Sequence, residues 1–139
     1  MVTAEFPKPE DMGPREWGEE LLLLLVPGKY TLKSITMKKG AVGGLQYHRL
    51  KDEGGVLISG RMLVRYESGD GLRTKVLFPG DAFHFPPGSV HQAEAVDDCM
   101  YVEASTPHFN DRVHVEDKYG LEKEAGGLPS TDLGEIVNA

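Results

Sequence analysis

The sequence has few of the features that mark secreted, membrane-spanning or nucleic-acid-binding proteins. Its 139 residues include one cysteine, Cys99, so an intrachain disulfide is excluded and a buried filler role is predicted. The longest uninterrupted apolar run, Leu21 to Val26, is far shorter than the roughly 20 residues that span a bilayer. Acidic residues outnumber basic ones, 22 to 15, and no Lys/Arg cluster is present. We therefore expect a cytoplasmic protein that binds neither membrane nor nucleic acid.

Turn signals, in contrast, are abundant. Short runs rich in Val, Leu, Ile and aromatic residues alternate with turns such as Pro27-Gly28 and Pro86-Pro87-Gly88. No apolar period of 3.6 residues persists over three helical turns. Regularly spaced short strands favour an all-β sandwich or closed barrel, because closure removes exposed strand edges. The predicted strands are Glu20–Val26, Tyr30–Met37, Leu45–His48, Gly55–Ser59, Met62–Glu67, Leu72–Phe78, Ala82–Phe85, His91–Ala95 and Met100–Ser105.

The length of the chain fits one domain. We predict an irregular N-terminal arm over residues 1–18, a barrel over residues 19–116 and a polar C-terminal tail over residues 117–139. The run Leu21 to Leu25 shows no alternation of apolar and polar residues, which is typical of a strand covered on both sides. A second copy of the chain would provide that cover, so a homodimer is predicted.

Four residues have the chemistry and spacing of metal ligands. Gln46 and His48 lie two apart, so a strand places them on one face. A turn through Lys51 to Gly54 would return Glu53 on the neighbouring strand, and the Pro-Pro-Gly turn delivers His91 onto a later strand. This mixed N/O set suits one divalent transition metal, such as Zn, Mn, Fe or Ni, with positions open for water or a small-molecule substrate. The alternative is a metal-free barrel whose interior polar groups bond to one another.

Other polar residues leave two interpretations open. Lys33 shares a strand face with Ile35 and Met37, so it either binds an anionic substrate group inside the barrel or extends to solvent at its mouth. Glu103 is a catalytic general base near the metal if its face is inward, and a solvated carboxylate if it is outward. His84 is predicted to lie on the surface. The remaining histidines, His108 and His114, lie in a predicted loop without a partner ligand and are not expected to bind metal.

Both metal-ligand segments resemble the motifs of the cupin superfamily, G(x)5HxH(x)3-4E(x)6G and G(x)5PxG(x)2H(x)3N. The matching positions are Gly40, His48, Glu53 and Gly60 in the first motif and Gly80, Pro86, Gly88 and His91 in the second. Gln46 replaces the first histidine, and Ala95 replaces the asparagine. The resemblance implies a single cupin barrel, a jelly roll or double-stranded β-helix, with one metal held by Gln46, His48, Glu53 and His91.

A narrower resemblance concerns the Gln-x-His pair. It is similar to the metal-binding strand of mannose-6-phosphate isomerases, in which glutamine, two histidines and a glutamate are the ligands. Trp17-Gly18, Lys33 and the stretch Asp111 to Gly120 are also similar to the isomerase domain of bacterial mannose-6-phosphate isomerase/mannose-1-phosphate guanylyltransferases, whose nucleotidyltransferase half is absent here. His114 and Leu121 replace arginines of that family. The resemblance therefore implies the metal site and leaves the substrate undefined.

The leading functional hypothesis is a metal-dependent enzyme with isomerase or epimerase chemistry on a sugar, a sugar phosphate or another small polar molecule. Glu103 would move a proton beside a carbonyl that the metal polarises. A non-haem metal dioxygenase is the first alternative, and a non-catalytic small-molecule binding protein is the second, because one fold can host unrelated functions. Oxygen consumption distinguishes the first alternative, and tight binding without turnover distinguishes the second.

Overall fold

The strands form two antiparallel sheets that enclose the core. The computed structural model describes residues 1–13, 15–108 and 111–115. Within these ranges the elements are β1 (Glu10–Asp11), β2 (Gly18–Val26), β3 (Tyr30–Met37), β4 (Gln46–His48), β5 (Glu53–Ser59), β6 (Met62–Ser68), β7 (Gly71–Leu77), β8 (Ala82–Phe85), β9 (His91–Ala95), β10 (Cys99–Ser105) and β11 (Arg112–His114). The described part contains no helix that could cross a membrane.

The six-stranded sheet has the order β1-β2-β3-β10-β5-β8, and the five-stranded sheet has the order β11-β4-β9-β6-β7. Alternation along each strand directs one set of side chains inward. On β3, for example, Lys33, Ile35 and Met37 are buried. Cys99 lies in the core among these side chains, and burial raises the pKa of its thiol to about 11. The thiol therefore stays protonated at neutral pH, as expected of a filler residue.

The predicted strands agree closely with the structure. Strands β3, β8 and β9 have the predicted bounds, and the other six predicted strands differ by at most two residues at either end. Two strands were not predicted: β1 lies in the N-terminal arm, and β11 places His114 in a strand rather than in a loop. Both are short and polar, and they are strands because they pair with β2 and β4. The predicted tail lies outside the described residues.

The predicted pairing of β4 with the strand that carries Glu53 is wrong. Strand β4 pairs with β9 and β11 in the five-stranded sheet, whereas β5 pairs with β10 and β8 in the six-stranded sheet. The connection from His48 to Glu53 therefore crosses from one sheet to the other. As a result, Glu53 approaches His48 and His91 from the opposite side of the interior.

The missing alternation in β2 has a local cause. The register between β2 and β3 shifts between Leu22 and Leu24, so one residue of β2 has no direct partner. A shift of this kind breaks the period of two and interrupts the apolar-polar pattern. Leu22 is buried in the interior, whereas Leu25 remains 36% exposed.

Gly60 closes the first motif at a point where no side chain fits. Its φ is +75°, and a Cβ at this position would collide with the carbonyl oxygen of Asp98. Both observations require glycine. The tight turn into Met62 on β6 therefore depends on the glycine that the motif predicts.

Candidate metal centre

Three of the four predicted ligands converge at one point in the interior. His48 on β4 and His91 on β9 extend from the five-stranded sheet, and Glu53 on β5 extends from the six-stranded sheet. Oε1 of Glu53 lies 3.6 Å from Nε2 of His48 and 3.2 Å from Nε2 of His91. All three side chains are buried, and a ligand atom of each lies within 4.8 Å of the others. The cluster has the size and chemistry of a metal site.

Both histidine rings are fixed through the nitrogen that points away from the cluster. Nδ1 of His48 donates to Oδ1 of Asp111 at 2.9 Å, and Nδ1 of His91 donates to the carbonyl oxygen of Ser89 at 3.0 Å. Phe85 stacks on the His91 ring with centroids 3.9 Å apart. A carboxylate or carbonyl that accepts from Nδ1 fixes the tautomer in which Nε2 carries a lone pair, as in metal-bound histidines.

This arrangement fits a cation. Burial lowers the pKa of His48, so its imidazole is neutral at neutral pH. The lone pairs of two Nε2 atoms and the charge of Glu53 then face one another, which is unfavourable unless a cation or a proton lies between them. Gln46 supports the same conclusion, because it lies beside His91 in the β4–β9 pair and its buried Oε1 has no hydrogen-bond partner in the described part of the chain. An amide oxygen without a partner is a ready fourth ligand.

Lys51 lies between two carboxylates at the edge of the cluster. Its Nζ is 3.4 Å from Oε2 of Glu53 and 3.5 Å from Oε1 of Glu103. Burial alone would raise the pKa of Glu53, but the neighbouring charge of Lys51 holds it well below its usual range. The opposite holds for Glu103: burial, together with the charge of Glu53, raises its pKa to about 7. One carboxylate is therefore ionised at neutral pH while the other is poised to exchange a proton.

Lys33 and Glu103 both face the interior. They lie opposite each other in the β3–β10 pair and line the same cavity as the histidines. Nζ of Lys33 donates to Oε2 of Glu20 at 3.0 Å, and Arg15 lies 3.6 Å from the other oxygen of Glu20. Alternation predicted which residues share these faces, and the structure shows that the faces are inward. The substrate-binding role of Lys33 and the catalytic role of Glu103 stay predictions.

The other histidines divide into two kinds. The side chain of His84 is 64% exposed, which confirms the surface prediction, and it contacts Asp52 at 2.7 Å. His108, predicted to lie in a loop and not to bind metal, is buried and lines the cavity.

Lys51 and Asp111 also border the site and were missed from the sequence. The two-residue spacing of Lys51 and Glu53 is the signal that could have identified the lysine, whereas Asp111 is far from His48 in sequence and gives no local signal.

The Asp111→Asn substitution is expected to weaken metal binding by about 10- to 100-fold. Oδ2 of Asp111 accepts from the backbone N–H groups of Leu50 and Lys51 at 2.8 Å each, and an amide NH₂ at that position would oppose them. Titration with Zn²⁺ against a competing chelator measures the loss. The Asp97→Asn variant removes an exposed carboxylate paired with Arg61 and should keep wild-type affinity. Equal affinities for the two variants would contradict the prediction.

Residues 33–100 match the family model of the cupin domain. The matched segment, about half of the chain, is similar to the cupin domain. The match contains Gln46 and the three clustered ligands, and the two-sheet architecture is the predicted cupin jelly roll. No curated protein matches the sequence.

Solved structures with the same fold include three chains of different length. CapF from Staphylococcus aureus superposes with a TM-score of 0.69 at 16% identity, over 80% of this chain and 32% of CapF. KdgF from Halomonas sp. superposes with a TM-score of 0.63 at 23% identity, over 71% of this chain and 88% of KdgF. An RmlC-like cupin from Shewanella frigidimarina superposes with a TM-score of 0.66 at 21% identity, over 78% of this chain and 96% of the cupin. This chain thus spans about a third of CapF and most of the two shorter proteins, and the likeness shows the fold.

Proposed function

We propose that this cupin binds one divalent transition metal through Gln46, His48, Glu53 and His91 and acts on a small polar molecule such as a sugar or sugar phosphate. The observation that carries the proposal is the convergence of two Nε2 atoms and one carboxylate oxygen, with both Nδ1 atoms held from behind. These residues offer four ligand atoms. A transition metal with more coordination positions leaves room for substrate oxygens.

When bound, the metal would polarise a substrate carbonyl and acidify the adjacent C–H group. Glu103 would accept that proton and return it to the neighbouring carbon, which is the proton transfer of an isomerase. A general base works best when its pKa lies near the working pH, and the pKa of Glu103, raised by burial to about 7, meets this condition. Lys51, 3.5 Å from Glu103, would hold the ionised carboxylate in place.

Lys33 would supply the positive charge that attracts an anionic substrate group such as a phosphate. Its side chain is 4% exposed and lines the cavity that the metal ligands share. The buried pair with Glu20 fixes the position of its ammonium group. Burying an ion pair costs desolvation energy that the pair alone rarely returns. A substrate contact would explain why the charges are buried here.

Metal analysis of the purified protein is the first test, followed by a panel of sugar-phosphate isomerisations with added Zn²⁺ or Mn²⁺. The Gln-x-His ligand set supports mannose-6-phosphate isomerase-like chemistry as the specific reaction. We expect stoichiometric metal and turnover that depends on it. Oxygen consumption by the Fe²⁺-loaded protein would instead favour a dioxygenase, and tight binding of a sugar without turnover would favour a binding protein. Wild-type protein that retains no transition metal after loading would refute the metal-dependent function.

We also propose a homodimer formed through β2. Leu25 on β2 and Ile58 on β5 are 36% and 45% exposed, and both belong to the six-stranded sheet. Covering these side chains removes apolar area from water. Size-exclusion chromatography with light scattering should give twice the 15.3 kDa chain mass. Leu25→Asp should yield the monomer, while Val76→Asp, on β7 of the other sheet and 39% exposed, should not. A 15.3 kDa wild-type species would contradict the prediction.

A further inference from the structure

His108 has an unused hydrogen-bonding nitrogen inside the protein. The residue is 6% exposed, lies just after β10 and lines the cavity that contains the metal cluster. Its Nε2 is buried and has no hydrogen-bond partner in the described part of the chain. A buried polar atom without a partner is destabilising, and such atoms are rare in native structures. An unsatisfied nitrogen beside a binding cavity calls for a functional explanation.

The His108 ring is held from its other side. Nδ1 lies 2.7 Å from the hydroxyl of Thr106, and that hydroxyl accepts a hydrogen bond from the backbone N–H of Asp52 at 3.0 Å. The backbone of Thr106 in turn donates to the carbonyl oxygen of Asp52. In one tautomer Nε2 is a hydrogen-bond donor and in the other it is an acceptor. In both tautomers it lacks a hydrogen-bond partner among the described residues. The ring is thus fixed while Nε2 remains available to a bound molecule.

The cavity has a second nitrogen of this kind. Nε1 of Trp17 is buried without a partner in the described residues, and Trp17 lines the same cavity. The indole N–H can only donate, so it suits an oxygen atom of a ligand. His108 is not among the three side chains whose ligand atoms lie together, so we assign it no metal-binding role.

We propose that His108 is a substrate-binding residue whose Nε2 hydrogen-bonds an oxygen of the molecule held in this cavity. The ligand class is a polyhydroxylated molecule, because a hydroxyl group can donate to or accept from Nε2 of His108, and a hydroxyl oxygen can accept from the indole N–H of Trp17. The inference rests on the proposed function only in assuming that substrate enters this cavity.

Two substitutions separate the two nitrogens of the ring. His108→Asn keeps a polar atom near the Nδ1 position, where it can still bond Thr106, and removes Nε2. His108→Gln places a polar atom near the Nε2 position and loses the Nδ1 contact. His84→Asn is the matched control, because His84 is the exposed histidine on β8. If Nε2 has no structural partner, the melting temperature of metal-free His108→Asn should equal or exceed that of wild type, since a buried orphan is removed.

Binding is measured by calorimetry on Zn²⁺-loaded protein with D-mannose 6-phosphate, D-mannose and D-glucuronate as probes. The side-chain ¹⁵N resonances of His108 are recorded in the same titrations. At least one probe should bind wild type and shift the Nε2 resonance. His108→Asn should bind that probe about tenfold more weakly, as expected for a lost hydrogen bond. His108→Gln should lose less, and all variants should keep wild-type Zn²⁺ affinity.

Any one of three results would overturn the proposal. The first is a melting temperature of His108→Asn several degrees below that of His84→Asn, and the second is equal probe affinity in His108→Asn and wild type. The third is that no probe shifts the His108 resonance. Failure of the proposed enzyme function has a different signature. In that case a probe binds and perturbs His108, but no isomerisation follows, or Zn²⁺ does not bind while the melting-temperature result for His108→Asn stands.

Discussion

The His91→Ala substitution is expected to lower the affinity for Zn²⁺ roughly a hundredfold. Four ligands share an apparent binding free energy of about 12 kcal/mol, so each contributes about 3 kcal/mol, which corresponds to a factor of roughly a hundred. Nε2 of His91 is 3.2 Å from Glu53 and its ring stacks on Phe85, so alanine removes a ligand atom that is held in place at the cluster. Equilibrium dialysis with metal analysis measures the loss, and circular dichroism checks that the barrel is retained.

Two variants make this result specific. His84→Ala removes an exposed histidine of the same chemistry and should keep wild-type affinity. Gln46→His restores the more usual ligand and should bind metal more tightly, because imidazole is a better ligand than an amide oxygen for this class of metal. Unchanged affinity in both His91→Ala and Gln46→His would show that the metal, if any, binds elsewhere.

The second prediction concerns Glu103 in metal-free protein. Burial and the neighbouring Glu53 raise its pKa from 4.5 to about 7. Below pH 4.5 the group is protonated in both the folded and unfolded chain. Between about pH 4.5 and 7 the unfolded chain releases the proton and the folded chain retains it, so this group lowers the free energy of unfolding as pH rises. The expected loss across this window is on the order of 3 kcal/mol.

Urea unfolding at several pH values, after chelator treatment, measures this effect. Glu103→Gln should abolish the Glu103 part of the pH dependence, since the amide does not titrate, and it should stabilise the protein above pH 7. Glu19→Gln on β2 serves as the control because Glu19 is exposed. If wild type and Glu103→Gln show parallel stability curves from pH 4.5 to 8, the raised pKa of Glu103 is wrong.

Local chemistry explains why much of the fold could be predicted. Strand β3 ends where its alternation ends, and strand β9 begins just after a Pro-Pro-Gly turn, so both bounds follow from the sequence. The candidate metal ligands could be identified for the same reason: their spacing within each motif fixes which residues share a face. These are properties of neighbouring residues, and they need no knowledge of the distant chain.

The parts that could not be predicted depend on contacts between distant residues. Whether β4 pairs with β5 or with β9 depends on how the sheets close, and the turn before Glu53 does not determine it. The face of β10 that carries Glu103 is inward for the same global reason. Asp111 supports His48 across 63 positions of sequence, and no periodicity signals such a contact. His108 is buried beside Thr106, which bonds to Asp52 just before β5 across 54 positions of sequence.

The origin of the ligands in two sheets has a consequence for the mechanical integrity of the barrel. Glu53 belongs to one layer and the two histidines to the other, so a coordinated ion would join the layers by bonds that the backbone ladders do not provide. An ion that binds only the native state raises its free energy of unfolding by about 2.7 kcal/mol when the free ion is at a hundredfold excess over the dissociation constant, so the melting temperature rises with ion concentration. Thermal scans at increasing Zn²⁺ should therefore report occupancy of the cluster, and separation of the layers should release the ion.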